Sequence, residues 1–253
     1  MIAAIVAFGL LGLGLRVVPT MITGDLLAMA AVPADGVPVA TASASRTPGT
    51  PTPSASRRPT AAPKPKATSK TAKIVVPATG PGSYRSAKVD VRPASSAGRL
   101  IRYDVKVEEN LDIAPDEAAK LIAGVLNDER SWRGSGRVRF ELVSAAGDRA
   151  ELHAYIVTPG TTDRLCAPLL TRGEVSCQNG DRVVLNAKRW QLGAKAYGKD
   201  LANYRRYLVN HEFGHYIGYG HVECPGRGRP APIMLQQTKG LDGCKKNPWV
   251  ESD

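Results

Sequence analysis

One short segment constrains the structure of this chain more than any other. Residues 211–221 have the pattern H-E-x-x-H-x-x-G-x-x-H and hold three of the four histidines in the sequence. In a helix, residues four positions apart lie on one face, so His211 and His215 can direct both imidazoles at one ion. Gly218 can end this helix because glycine adopts left-handed dihedrals without steric cost. The chain can then turn and bring His221 back as a third ligand.

The donor types indicate which ion this site would bind. Neutral imidazole nitrogen is a preferred zinc ligand at about 2.0–2.1 Å. Three protein ligands leave a fourth position for water, which is typical of catalytic rather than structural zinc sites. We therefore predict Zn²⁺ ligands at His211, His215 and His221, with Glu212 as the catalytic general base acting on water. The alternatives are an ordinary helix whose histidines lie in the core or at the surface, and a metal site without activity.

The residues before the motif predict a buried helix. Asp200 is a suitable N-cap. Apolar residues then recur at helical spacing on two faces, one of which carries His211 and His215. They are Leu201, Tyr204 and Leu208 on the histidine face, and Val209, Phe213 and Tyr216 on the other. A helix that is apolar on two sides is buried, which suits a rigidly held site.

The motif resembles the zinc-binding signature of the metzincin clan of metallopeptidases. In that clan a methionine turn follows the third histidine and lies beneath the metal, and Met234 here lies thirteen residues beyond His221. Residues 99–249 also resemble an uncharacterised family of exported actinobacterial proteins with the same motif. The resemblance implies a zinc endopeptidase acting on protein or peptide substrates. Val222 stands where some metzincin subfamilies place an acid, a serine or a proline, so the subfamily stays open.

Residues 1–30 predict a signal peptide or a membrane anchor. Residues 1–15 contain no charged side chain, and as a helix they would span about 22 Å, short of the roughly 30 Å hydrocarbon core. Residues 17–22 could extend the span, and residues 28–30 (Ala-Met-Ala) resemble a cleavage site. We expect a secreted protein, or a single-pass membrane protein whose catalytic domain lies outside the cytoplasmic membrane.

Residues 31–74 predict a disordered, basic stalk. The segment is rich in Pro, Ser, Thr and Ala and has too few large apolar residues to form a core. Residues 1–73 contain 8 Lys+Arg and 2 Asp+Glu, a net charge of +6 out of +11 for the chain. This charge suits anionic lipids or cell-envelope polymers. Nucleic acid is not an expected partner, because the chain looks exported and carries no nucleic-acid-binding motif.

The cysteines also fit an exported protein. There are four, at positions 166, 177, 224 and 244, and none forms a C-x-x-C pair. An even number of cysteines beyond a membrane segment suggests two disulfides, for which three pairings are possible. We favour the local solution, Cys166–Cys177 and Cys224–Cys244. The second would clamp the loop that carries Met234.

Residues 75–253 are long enough for one α/β domain with its own core, which we expect to be monomeric. Strands are predicted at 101–108, 138–142, 152–157 and 183–185, with a short edge strand in the Cys166–Cys177 region. Helices are predicted at 115–127 and after Asp200. The resemblance implies a metzincin-like mixed sheet with two main helices, the second carrying the zinc motif, and a small irregular C-terminal subdomain after Gly218. The alternative function is a catalytically inactive, zinc-stabilised module that binds the cell envelope; an enzyme acting on peptidoglycan cross-links is a third possibility.

Two residue types outside the motif could suggest further sites. His153 lies in a predicted strand, and we interpret it as a surface residue or a satisfied core residue. Trp132, Trp190 and Trp249 are interpreted as packing residues rather than as substrate platforms.

Overall fold

The computed structural model describes residues 74–144 and 149–250. The predictions of a signal peptide or anchor at residues 1–30 and of a stalk at residues 31–74 therefore lie outside the described residues, except for Ile74. Within the described ranges, no helix is both long enough and apolar enough to cross a membrane.

Six strands form one open, mixed sheet. The strand order is β1-β2-β4-β6-β5, and β3 also pairs with β2. The strands are β1 (Tyr84–Ser86), β2 (Arg99–Glu108), β3 (Val138–Leu142), β4 (Leu152–Val157), β5 (Cys177–Asn179) and β6 (Arg182–Asn186). β2 pairs with β4 along one edge, while β1 and β3 share its other edge. The β2–β3, β2–β4 and β4–β6 pairs are parallel, whereas β1–β2 and β5–β6 are antiparallel.

Four α-helices accompany this sheet in the part of the chain that the structure describes. They are α1 (Pro115–Leu126), α2 (Pro159–Cys166), α3 (Ala187–Leu192) and α4 (Leu201–Tyr216). The two longest, α1 and α4, pack against each other and against the sheet. Pro115 is the first residue of α1, and two acidic residues follow in its first turn. Their negative charges interact favourably with the positive end of the helix dipole. The α/β class and the mixed sheet are confirmed.

The main core lies between the sheet and the two long helices. The alternating residues of β2 that face this side, Ile101, Tyr103, Val105 and Val107, are fully buried. An aromatic cluster of Tyr103, Phe140 and Phe213 joins β2 and β3 to α4 through edge-to-face contacts, with ring centroids 5.4–6.5 Å apart. This packing fixes α4, and with it the histidine motif, against the rigid part of the molecule.

The second face of the sheet carries elements that the sequence did not predict. A smaller cluster, which includes Val157 and Val184, packs there beside the Cys166–Cys177 disulfide. The short edge strand predicted in the Cys166–Cys177 region is β5, which begins at Cys177, whereas α2 ends at Cys166. The strand does lie at the edge of the sheet, as expected.

Up to residue 250, where the described residues end, the segment after α4 has no helix or strand. Residues 218–250 form turns and loops with one isolated bridge between Pro230 and Lys245. The Cys224–Cys244 disulfide, with a Cα–Cα distance of 5.9 Å, closes part of this segment. Both predicted cysteine pairings are thus present. The predicted irregular C-terminal region is present as well.

Candidate metal centre

Helix α4 carries the motif between two well-defined ends. Asp200 caps the start, because its side chain accepts a hydrogen bond from Asn203 N at 3.3 Å. At the other end, Gly218 has a φ of 98°, in the left-handed region that favours glycine. This turn reverses the chain within three residues and returns His221 to the first two histidines.

The three histidines form one cluster. A ligand nitrogen from each of His211, His215 and His221 lies within 4.8 Å of the others. The Nε2 atoms of His215 and His221 are 3.0 Å apart. Such a spacing allows one ion to be shared by all three rings.

Backbone carbonyl groups orient two of these rings. His211 Nδ1 lies 2.9 Å from Ile233 O, and His215 Nδ1 lies 2.8 Å from Tyr219 O. Because a carbonyl oxygen only accepts hydrogen bonds, each Nδ1 carries the proton and donates it. The Nε2 lone pair of each ring is then free for a metal, which is the usual arrangement of a metal-binding histidine. The donor set therefore fits a zinc ion.

The protonation of the histidines also suits metal binding. Burial lowers the pKa of His211 to about 3. Burial likewise lowers the pKa values of His215 and His221, and for His221 the nearby charges of His215 and Lys239 act in the same direction. Neutral imidazole, the form that binds metals, is thus favoured at all three positions.

Glu212 is a buried carboxyl group without a partner. It is 4% exposed and lines the cleft together with the three histidines. No side chain or backbone group among the described residues donates a hydrogen bond to it or pairs with its charge. Burial raises the pKa of Glu212 to about 8, since no charge or hydrogen bond offsets the loss of solvent.

Met234 packs directly against the motif helix. Its sulfur lies so close to Gly214 that a Cβ at that position would be 2.6 Å from Met234 Sδ, and equally 2.6 Å from Trp132 Cζ2. Gly214 thus lets the methionine and the indole approach the helix between His211 and His215. The sequence singled out Met234, and it placed Trp132 among the packing residues. It missed Gly214, although a glycine inside a helical pattern is a signal of close packing.

The backbone next to Met234 also supports the site. Ile233, the preceding residue, provides the carbonyl group that orients His211, and Val222 N donates to Met234 O at 3.2 Å. Tyr207 OH donates to Leu235 O at 3.1 Å. These bonds attach the irregular C-terminal segment to α4 and to the loop after His221.

A cleft of about 510 Å³ opens beside Glu212 and the histidines. Tyr207 forms part of it, together with residues from the loop that precedes β5 and from the segment after Met234. A cleft of this volume has room for a ligand beside Glu212 and the histidines.

The remaining singled-out residues do not line this cleft. His153 Nδ1 lies 2.8 Å from Asp104 Oδ1 on the second face of the sheet, so the histidine is satisfied there. Trp132 and Trp190 are almost fully buried, and the ring of Trp249 lies 4.0 Å from the guanidinium of Arg130. All three tryptophans pack, as predicted.

Comparisons with known proteins give a family but no activity. No curated protein and no solved structure matches the chain. A family profile described as protein of unknown function (DUF3152) matches residues 72–250, a range that includes the histidine motif, Met234 and all four cysteines. The chain that carries this site is therefore a member of the DUF3152 family.

Proposed function

We propose that this protein is a zinc-dependent endopeptidase of the metzincin type that acts outside the cytoplasmic membrane. His211, His215 and His221 would hold the metal, and Glu212 would be the general base. The supporting features are the clustered ligand nitrogens and the Nδ1 hydrogen bonds that leave Nε2 free on two rings. Three features of the fold also support the resemblance to metzincins. They are the long motif helix, the mixed sheet, and the irregular segment whose methionine packs against that helix.

The observation that carries the proposal is the environment of Glu212. A buried carboxyl group without a partner costs free energy, so it is usually kept for a chemical purpose. Here it is 4% exposed, lies one residue after a metal-ligand candidate, and lines a cleft. A site that held zinc only for stability would have no use for this carboxylate. In the metal-free chain, burial raises the pKa of this carboxyl group. The positive charge of a bound Zn²⁺ would favour its carboxylate form, which is the form that a general base needs.

The reaction assigns a simple task to each group. A bound Zn²⁺ would supply Lewis acidity, which polarises a carbonyl group and acidifies water. A Glu212 carboxylate oxygen would accept a proton from water in the cleft and then donate it to the departing amine. The Nδ1 bonds to Ile233 O and Tyr219 O would keep the first two ligands from rotating. Met234 would support α4 from below without binding the metal.

The proposed location follows from the N-terminus and the cysteines. An apolar segment at residues 1–15 and a basic, Pro- and Ser-rich segment behind it suit a secreted or membrane-tethered protein. Two disulfides, Cys166–Cys177 and Cys224–Cys244, suit an oxidising compartment.

The proposal can be tested with an unbiased peptide library. The full-length protein should cleave peptides when supplied with Zn²⁺, stop cleaving when a chelator removes the metal, and resume when Zn²⁺ is restored. Elemental analysis should find one zinc per chain, and an alanine at His211, His215 or His221 should lower that content. If the chain binds zinc but cleaves no peptide, the proposal is wrong, and an inactive module that binds the cell envelope becomes the better interpretation.

A further inference from the structure

The cleft beside Glu212 has an apolar wall that faces solvent. Leu169 and Leu170 line the cleft and are 50% and 82% exposed, and Tyr219 lines it at 41% exposure. Among the described residues seven large apolar side chains are exposed, and these three border one cavity. Exposed apolar side chains that cluster mark a binding surface, whereas single ones are common on any protein.

The loop that carries the two leucines is held in place. The Cys166–Cys177 disulfide closes it, with a Cα–Cα distance of 6.1 Å. Asp163 Oδ1 accepts a hydrogen bond from Gly173 N at 2.7 Å and another from the Thr171 hydroxyl. A surface whose shape is fixed before binding loses less conformational entropy when a ligand docks. The exposed leucines are therefore presented in a defined arrangement.

Among the described residues that line the cleft, one is a lysine or arginine. Lys239 is exposed and lines the cleft with His221, and its Nζ donates to Gln236 Oε1 at 3.0 Å. No carboxylate among the described residues lies within ion-pair distance of this ammonium group. Glu212 is the only acidic side chain among the described residues that line the cleft. A cleft with an unpaired ammonium group favours a ligand that brings its own negative charge.

We propose that the cleft selects peptides that carry both a bulky apolar side chain and a carboxylate group. Leu169 and Leu170 would contact the apolar side chain, and Lys239 would bind the carboxylate. This specificity rests on the proposed peptidase function. The carboxylate can belong to an acidic side chain or to the C-terminus of the peptide, because the same ammonium group would bind either.

Peptide binding to the full-length Glu212→Gln variant, supplied with Zn²⁺, tests the specificity without turnover. Fluorescently labelled peptides would be compared in matched pairs: leucine against alanine, glutamate against glutamine, and a C-terminal acid against an amide. Replacing leucine by alanine in the peptide should weaken binding roughly tenfold, because binding would then remove less apolar surface from water. Replacing the relevant carboxylate by its amide should weaken binding about two- to fivefold, as for a partly exposed ion pair. The pair that responds identifies the source of the carboxylate.

Variants of the cleft assign each preference to its residue. Lys239→Met should abolish the carboxylate preference and keep the leucine preference, whereas Leu170→Ser should reduce the leucine preference. Lys199→Met, at an exposed lysine outside the cleft, should change neither. Equal binding of all the peptides, or a carboxylate preference that survives in Lys239→Met, would overturn the proposal.

The two proposals fail in different ways. If the peptides bind with the expected preference but the wild-type protein cleaves none of them, the peptidase function is wrong and the specificity stands. If the wild-type protein cleaves peptides regardless of their carboxylate and their bulky side chain, the specificity is wrong and the peptidase function stands.

Discussion

Replacing Gly214 with alanine would place a methyl group where two buried side chains already lie. The new Cβ would be 2.6 Å from both Met234 Sδ and Trp132 Cζ2, about 1 Å inside the 3.5–4.0 Å at which nonbonded atoms normally meet. Both neighbours are almost fully buried. The indole is also fixed by its Nε1 hydrogen bond to Asn210 O at 2.7 Å. Neither side chain can move aside without disturbing its own packing.

Two opposing effects set the size of the change in stability. Overpacking a core costs about 1–3 kcal/mol, whereas replacing glycine by alanine inside a helix gains about 1 kcal/mol. Gly124 in α1 isolates the second effect, because a Cβ there would meet nothing within 4 Å. Gly124→Ala should therefore stabilise the protein by about 1 kcal/mol. Gly214→Ala should be less stable than Gly124→Ala by about 1–3 kcal/mol.

Chemical denaturation of the full-length, metal-free protein and of both variants would measure these free energies of unfolding. A second measurement, zinc affinity, should also separate the variants. Gly214 precedes His215, and Met234 follows the residue whose carbonyl orients His211. A displaced methionine should therefore weaken zinc binding in Gly214→Ala and leave it unchanged in Gly124→Ala. Equal stability and equal zinc affinity of the two variants would refute the close packing of Met234 against the motif helix.

Two further predictions concern stability. Folding raises the pKa of Glu212 from 4.5 to about 8. Between pH 4.5 and pH 8 the folded chain therefore binds more protons than the unfolded chain, and its stability falls as the pH rises. At pH 7, metal-free Glu212→Gln should be more stable than wild type by about 3 kcal/mol, at about 1.36 kcal/mol per pKa unit. Denaturation at several pH values checks this, and a difference that persists below pH 4.5 would contradict it. Replacing both Cys166 and Cys177 with serine should lower stability by about 3 kcal/mol in the chain-entropy account; denaturation without reductant measures the loss, and no loss would contradict it.

The elements that the sequence predicted carry their own local signals. The alternation of apolar and charged residues in β2 indicates a strand with one buried face, and Pro115 followed by two acids indicates the start of α1. The motif in α4 specifies both a helix and the turn that ends it. These patterns need no knowledge of distant parts of the chain.

The short helix α2 shows why other elements were missed. Its sequence begins with proline and glycine and continues with two threonines, which have low helix propensity. The segment is held instead by Glu108, at the end of β2. Its carboxylate accepts hydrogen bonds from Thr158 N at 2.8 Å and from Thr161 Oγ1 at 2.7 Å. A contact between residues about fifty positions apart overrides local propensity, and no local pattern announces it.

The sequence predicts the side chains of the candidate site. It does not predict the backbone groups that orient them or the loop that borders the cleft. The spacing of the histidines identifies His211, His215, Glu212 and His221. The carbonyl groups that orient two of the rings belong to the backbone, and any residue type could provide them. The apolar wall of the cleft depends on the conformation of the loop before β5, which carries Leu169 and Leu170. No local pattern in the sequence predicts that conformation.

Peptide hydrolysis per bound zinc, compared between Glu212→Gln and wild type, tests directly whether Glu212 is the general base. Glutamine is nearly isosteric with glutamate and cannot accept the proton from water. We expect an equal zinc content in the two proteins and hydrolysis at least about 100-fold slower in the variant, because the variant lacks the general base. Hydrolysis at the wild-type rate by a zinc-loaded Glu212→Gln protein would contradict this role of Glu212.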